Sequence, residues 1–258
     1  MVSEFDIAAA TYDAEFSRSS IGKAQRERVY HYLNRWLPAA LNILEVNCGT
    51  GIDAVYLAKK GHRVTATDAS EAMLKRGQEK GAGLDIRFAS LDLRDLAQPW
   101  LETTYDLVFS NFGGLNCLHP AEFGRFMEQA ANLLSEGGQL ILVLMSRSCL
   151  LEDVYYRLKG QPKEAKRRHD GGPLEVNVNG VDVPTWYYNP KDVEALLPAG
   201  LKIQAAHPIG ISIPPSYMQQ GIDKQPWLLK LGAALEPILS LPAFASRGDH
   251  FILKIVRK

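Results

Sequence analysis

The chain carries no charge of one sign in excess: 29 Lys and Arg stand against 29 Asp and Glu over 258 residues. That balance leaves no electrostatic footprint for nucleic acid or for an anionic membrane, so a small or uncharged partner is expected instead. Cysteine is scarce. Cys48, Cys117 and Cys149 are the only three, too far apart for a C-x-x-C metal or redox pair, and no metal site is expected. Their odd number, with one thiol inside a glycine turn, predicts reduced side chains and a cytoplasmic protein. No apolar run approaches the length of a membrane span, and residues 1–6 lack the apolar core of a secretion signal. A G-x-S-x-G nucleophile motif is missing as well. No repeat or low-complexity linker divides residues 1–258, which therefore read as one domain.

What is present centres on Asn42-Ile43-Leu44-Glu45-Val46-Asn47-Cys48-Gly49-Thr50-Gly51. A short apolar strand runs into a tight glycine turn. An amphipathic segment, Ile52 to Lys60, follows at once with Ile52, Val55, Tyr56, Leu57 and Ala58 as its apolar face, and Gly61 supplies the stop. Glycines let backbone approach a ligand closely, and the first N–H groups of a helix are unpaired donors. A dinucleotide site asks for G-x-G-x-x-G, and here only Gly49 and Gly51 are present. Glu45, just before the turn, would repel a pyrophosphate and suits a ligand bearing an ammonium or sulfonium.

Further strands follow by alternation or by continuous apolar character. Residues 62–68 end in Asp68, with Ser70 capping the next helix. Residues 85–90 run into Leu91-Asp92-Leu93, and residues 105–112 run into Gly113-Gly114. A helix from Pro120 through Leu134, closed by Gly137-Gly138, precedes the apolar run 139–145, the mark of a strand buried on both faces. Five strands alternating with four helices specify a doubly wound α/β sheet with helices on both faces, its ligand lying outside the carboxyl ends of the strands. Asp68 follows Gly51 by 17 residues, near the interval of about 20 expected for a ribose-binding carboxylate. Ahead of the sheet, Ser19-Ser20 cap a helix over 21–37, with Ala24, Val29, Leu33 and Leu37 inward and Arg26, Glu27 and Arg28 outward.

The second half is less regular. Val154, Tyr155, Tyr156 and Leu158 mark a helix, and 163–170 reads as a solvated basic run. Asn179-Gly180 signals a hairpin whose return strand continues through Trp186-Tyr187-Tyr188. Residues 201–206 and 249–256 are the last two strands of seven. An apolar helix around 227–241 lies between them.

Glu45-Val46-Asn47-Cys48-Gly49-Thr50-Gly51 resembles the first motif of the class I S-adenosylmethionine-dependent methyltransferases, with Asn47 where the family has its first glycine. The strand order matches that architecture over nearly the whole chain. The resemblance implies a seven-stranded, mostly parallel sheet with an antiparallel last strand, an N-terminal helical lid over 1–37 and a cofactor core over 38–146. Two insertions, 147–190 and 210–247, would cover the active face. The opening Phe5-Asp6 and Tyr12-Asp13 resembles the family's lid, where Tyr12 either covers the cofactor or packs on the core.

S-adenosylmethionine would be the cofactor and S-adenosylhomocysteine its product. The resemblance places Glu45 and Asn111 near the methionine end, Gly49 and Gly51 under the amino acid and ribose, and Asp68 on the ribose, with Tyr12, Asn47, Cys48, Thr50, Ala69 and Met73 also among the cofactor-binding residues. Asp92 and Leu93 would meet the adenine. His119, in the loop after the fourth strand, is the candidate base, ahead of His207 and His250. The acceptor would be a small, partly hydrophobic molecule, with Tyr155, Tyr156, Trp186, Tyr187 and Trp227 either lining its pocket or packing in the core. Two other readings stand beside this one: a nicotinamide-dependent oxidoreductase on a similar sheet, and a non-catalytic module that keeps the cofactor pocket.

Overall fold

The computed structural model describes residues 12, 13, 16, 18–101, 104–178 and 181–258. Phe5, Asp6 and the Asn179-Gly180 turn lie outside the described residues. Ser19 caps helix α1 (Ser20–Trp36), its hydroxyl accepting from Gly22 N, and the helix ends before Pro38. Strand β1 (Asn42–Val46) passes through the glycine turn into α2 (Ile52–Lys59). Then come β2 (Arg63–Asp68), α3 (Glu71–Lys80), β3 (Ile86–Ser90), β4 (Tyr105–Ser110), α4 (Pro120–Asn132) and β5 (Leu134–Met145). The second half supplies α5 (Leu150–Leu158), the hairpin β6 (Leu174–Val178) and β7 (Val181–Thr185), and α6 (Pro190–Ala195). Strand β8 (Leu201–Ile209), α7 (Gln219–Lys224), α8 (Pro226–Leu239) and β9 (His250–Arg257) complete the order.

The seven sheet strands lie in the order β3-β2-β1-β4-β5-β9-β8. All pairs are parallel up to β5, and β9 runs antiparallel to both β5 and β8, as the sequence implied. The chain leaves β1 toward β2 and β3, then returns to place β4 on the other side of β1. The crevice between the carboxyl ends of β1 and β4 is thus the switch point at which such sheets bind ligands. Because β9 is reversed, His250 begins it opposite Met145, at that same edge, where β8 also ends. Both insertions therefore spring from the ligand edge. Leu140 to Leu144 are fully buried, and a cluster around Phe123, Phe126 and Met127 packs one face of the sheet. A second, around Val29, Leu33 and Leu57, packs the other.

Several expectations are corrected. Helix α4 stops at Asn132, and Gly137-Gly138 sit within β5, because Tyr105 N already bonds Leu133 O and draws the chain into the sheet. Trp186-Tyr187-Tyr188 do not continue the hairpin: Trp186 N donates to Asn116 O, and Tyr188 bridges Ser146 of the main sheet. Arg26 and Arg28 are buried rather than outward. Nor is the basic run wholly solvated, since Arg168 is buried between Glu152, at 2.5 Å, and Asp249, at 3.0 Å. The inward face of α2 is Asp53, Ala54 and Leu57, one residue round from the apolar reading, because Asp53 is drawn inward by three partners described below.

Candidate cofactor site

The turn after β1 passes through three left-handed residues, Asn47 (φ 47°), Gly49 (φ 52°) and Gly51 (φ 73°). Asparagine is one of the few side chains that tolerates this region, so the departure from glycine is accommodated by backbone chemistry. The same residue also laces the switch point. Its Nδ2 donates to Asn111 O at 2.8 Å, and its Oδ1 accepts from Ser110 Oγ at 2.6 Å, tying β1 to β4. This packing needs Gly114: a Cβ there would lie 2.5 Å from that of Asn47.

Asp68, at the carboxyl end of β2, is oriented by backbone. Gly49 N donates to its Oδ2 at 2.8 Å and Ser70 N to its Oδ1 at 2.9 Å. A carboxylate has about four lone-pair sites, so two backbone bonds fix its orientation without using all of them. Ala69 beside it is exposed, whereas Met73 is buried and its N–H donates to the Ser70 cap at 3.2 Å. Asp92 is half-exposed and held by Arg94 at 2.6 Å, a pairing that lowers its pKa, and Leu93 packs against the core.

Sequence patterning missed the polar centre of the site. Asp53 accepts from Arg26 Nε at 2.9 Å, Tyr30 Oη at 2.6 Å and Asn111 Nδ2 at 3.0 Å. Helix α1 is thereby fastened over the crevice by a buried ion pair. The guanidinium of Arg26 also lies 5.1 Å from the centre of the Phe112 ring. A second fastening joins Asp13, ahead of α1, to the turn: Thr50 Oγ1 donates to its Oδ1 at 2.6 Å, and Lys80 pairs with its other oxygen. Tyr12 sits above Gly49, where a Cβ would come within 3.9 Å of its ring, and burial pushes its pKa up to about 12.

A recess among Tyr12, Arg26, Gly49, Asp53, Asn111 and Phe112 results. Two buried polar atoms of its lining, Arg26 Nη1 and Asn111 Oδ1, have no hydrogen-bond partner among the described residues. An unanswered donor beside an unanswered acceptor fits a ligand that carries a carboxylate and an ammonium group together. Behind them, Glu45 Oε2 is also buried and unanswered. Burial first, then the negative charge of Asp53, raises the Glu45 pKa well above its ordinary 4.5. Cys48 is buried, and the same burial raises its thiol pKa.

A folded-state pKa above the unfolded value means that the folded chain holds the extra proton. Stability therefore falls as pH rises from the ordinary carboxylate range through the raised value. Glu45→Gln is expected to unfold at a higher urea midpoint than the wild type at about pH 8, with the difference closing below about pH 4.5. A difference that grows on acidification would contradict this account.

His119 caps α4: its Nδ1 accepts from Ala121 N at 3.2 Å, and Trp186 meets its ring edge-on. Tyr187 is buried, against Arg168, while Trp227 is exposed. Among the described residues no group of His, Cys, Asp and Glu could hold a metal ion.

Comparison with known proteins finds methyltransferases. A family model described as a methyltransferase domain matches residues 43–138. A demethylmenaquinone methyltransferase of Clavibacter sepedonicus is 31% identical over 139 residues, 54% of this chain and 55% of the relative. A ubiquinone biosynthesis O-methyltransferase of Xanthomonas axonopodis pv. citri (strain 306) is 27% identical over 57% of this chain and 62% of its own. The chain thus spans between a half and two thirds of the length of these curated relatives. A crystal structure of an S-adenosylmethionine-dependent methyltransferase from Mesorhizobium loti superposes with a TM-score of 0.59. It is 18% identical, over 89% of this chain and 97% of that one, and shares the fold.

Proposed function

We propose, for a chain that carries a methyltransferase domain on the class I S-adenosylmethionine-dependent fold, that it moves a methyl group to a small, partly hydrophobic acceptor. The observation that carries the reading is the pair of unanswered polar atoms, Arg26 Nη1 and Asn111 Oδ1, in the crevice between β1 and β4. Together they fit the amino-acid end of the cofactor, which a nicotinamide dinucleotide lacks. The glycine turn passes beneath it, Asp68 takes the ribose hydroxyls, and Asp92 with Leu93 receives the adenine.

When bound, S-adenosylmethionine supplies an electrophilic methyl group that a nucleophile can displace in line. The chain's own part is alignment and exclusion of water, which together can lower a barrier by roughly 7–11 kcal/mol. Tyr12 and the fastened helix α1 cover the crevice, and the insertions rising from the same edge bound the acceptor's approach. His119, whose Nδ1 accepts at the start of α4, is the candidate base through its other ring nitrogen where the acceptor needs one. Quinone-related substrates in the names of two relatives favour an apolar acceptor.

Parallel calorimetric titrations with S-adenosylhomocysteine and with NAD test the reading. Saturable binding of the first alone is expected, followed by label transfer from methyl-labelled cofactor to quinone-type acceptors. Binding of NAD alone would overturn it in favour of an oxidoreductase. Cofactor binding with no transfer across a broad acceptor panel would favour a non-catalytic module.

A further inference from the structure

Helix α8 is amphipathic in reverse. Its inward stripe is Leu229, Gly232 and Glu236, continued by Ser240, while its outward stripe is Trp227, Leu231, Leu235 and Ile238. Ile238 is 67% exposed, Trp227 59% and Leu231 51%, and Leu241 and Phe244 extend the apolar surface beyond the helix. Solvent-facing helices normally show the opposite distribution, and a contiguous apolar patch of this kind marks a surface that something covers.

The inward stripe shows that this orientation is built in. Glu236 accepts from Gly210 N at 2.7 Å, from Ile211 N at 3.2 Å, and from both N and Oγ of Ser212 at 2.8 and 2.7 Å. Gly232 lets the helix come so close that a Cβ would lie 2.3 Å from Ser212 O. The helix is clamped to the loop leaving β8, at the ligand edge of the sheet. Turning the apolar stripe inward would bury Trp227 and Leu231 only by breaking that clamp.

Charge identifies the occupant. Between Lys224 and Gly248 the exposed charged side chains are Lys224, Lys230 and Arg247, all basic. The one acid of that span, Glu236, is 1% exposed and spent on the clamp. Asp223, one residue upstream, is exposed as well, so the face and its margin carry three basic groups against one acid. Overall neutrality therefore conceals a local segment that is apolar and predominantly basic. A second copy docked face to face would set three basic groups of each copy against a single exposed carboxylate of the other. An anionic lipid interface answers both features, with apolar side chains entering the acyl boundary and the Lys230 ammonium reaching the headgroups.

We infer that the α8 face, from Trp227 to Phe244, is a docking surface for an anionic lipid bilayer, on which the protein lies with its ligand edge toward the membrane. The inference stands on this surface alone and does not require the methyl-transfer reading. No helix among the described residues is long and apolar enough to cross a membrane, so the attachment is to one face.

Flotation of the full chain with phosphatidylcholine vesicles, with and without phosphatidylglycerol, tests it. The wild type is expected to float with the anionic vesicles, less so as salt rises, and to stay down with phosphatidylcholine alone. Lys230→Gln should weaken binding about fivefold, and the pair Leu231→Glu with Ile238→Glu about tenfold or more. Both variants should keep their affinity for S-adenosylhomocysteine and their circular dichroism, which separates lost docking from lost folding. A wild type that never floats, or variants that float equally well, would overturn the inference. So would a wild-type dimer on gel filtration that the double variant splits, which would give the face to a second copy. Absence of cofactor binding by the wild type would bear on the proposed function and leave the vesicle result intact.

Discussion

Asp68→Ala is expected to weaken S-adenosylhomocysteine binding by about a hundredfold or more. Two hydrogen bonds from ribose hydroxyls to one carboxylate contribute roughly 1.5–3 kcal/mol each, and every 1.4 kcal/mol is a tenfold change in affinity. The geometry sharpens the expectation. Gly49 N and Ser70 N already hold both carboxylate oxygens, so the group is oriented before any ligand arrives and little entropy opposes its use. Removing it also releases the N–H of Gly49 in the turn itself. Asp68→Asn separates these effects, because an amide oxygen can still accept from one backbone donor while the charge is gone. Calorimetry on both variants, with thermal unfolding alongside, is the measurement. Unchanged affinity in Asp68→Ala would remove the cofactor from this crevice.

Asp53→Ala is expected to cost about 3–5 kcal/mol of stability, the largest loss from any single substitution considered. The change strands the guanidinium of Arg26, whose side chain is 9% exposed, without its counter-charge. It also frees the hydroxyl of Tyr30 and the amide of Asn111. Most of the penalty comes from leaving a buried charge unpaired, so adding Arg26→Met should recover much of it. Urea unfolding of the two single variants and the double variant gives the coupling directly. Simple additivity would mean that Arg26 and Asp53 do not act as a pair. The same double variant should bind S-adenosylhomocysteine weakly despite its restored stability, because it lacks the Arg26 donor assigned to the carboxylate.

Much of the sheet was legible because its signals are local. The run of apolar residues through 139–145, the alternation into Asp68 and the glycine punctuation each describe a few neighbouring positions. Stacked in order, they allow few topologies. The hairpin around Asn179-Gly180 was legible in its pairing but not in its length. Nothing near Trp186 announces that Asn116, from another loop, captures its N–H.

The polar centre of the site was illegible for the same reason. Arg26 and Asp53 are 27 residues apart, and Asp13 and Lys80 are 67. An arginine in an amphipathic helix reads as solvent-facing until its partner's position is known. Asp53 lies outside the apolar face read for α2, and its distant partners rotate the inward face by one residue. The outward stripe of α8 misled in the opposite sense, since apolar spacing says that a face is buried but not by what.

By itself the sequence determined the parallel α/β architecture, the glycine turn with Asn47 in glycine's place, and the carboxylate at the end of β2. Each depends on backbone propensity and on short-range periodicity. Only the tertiary structure decided which charges are buried together, which atoms remain unanswered in the crevice, and which way the last helix faces. Those properties belong to pairs of residues brought together from distant parts of the chain. Desolvation makes such pairs matter, and it acts only once the core has closed around them.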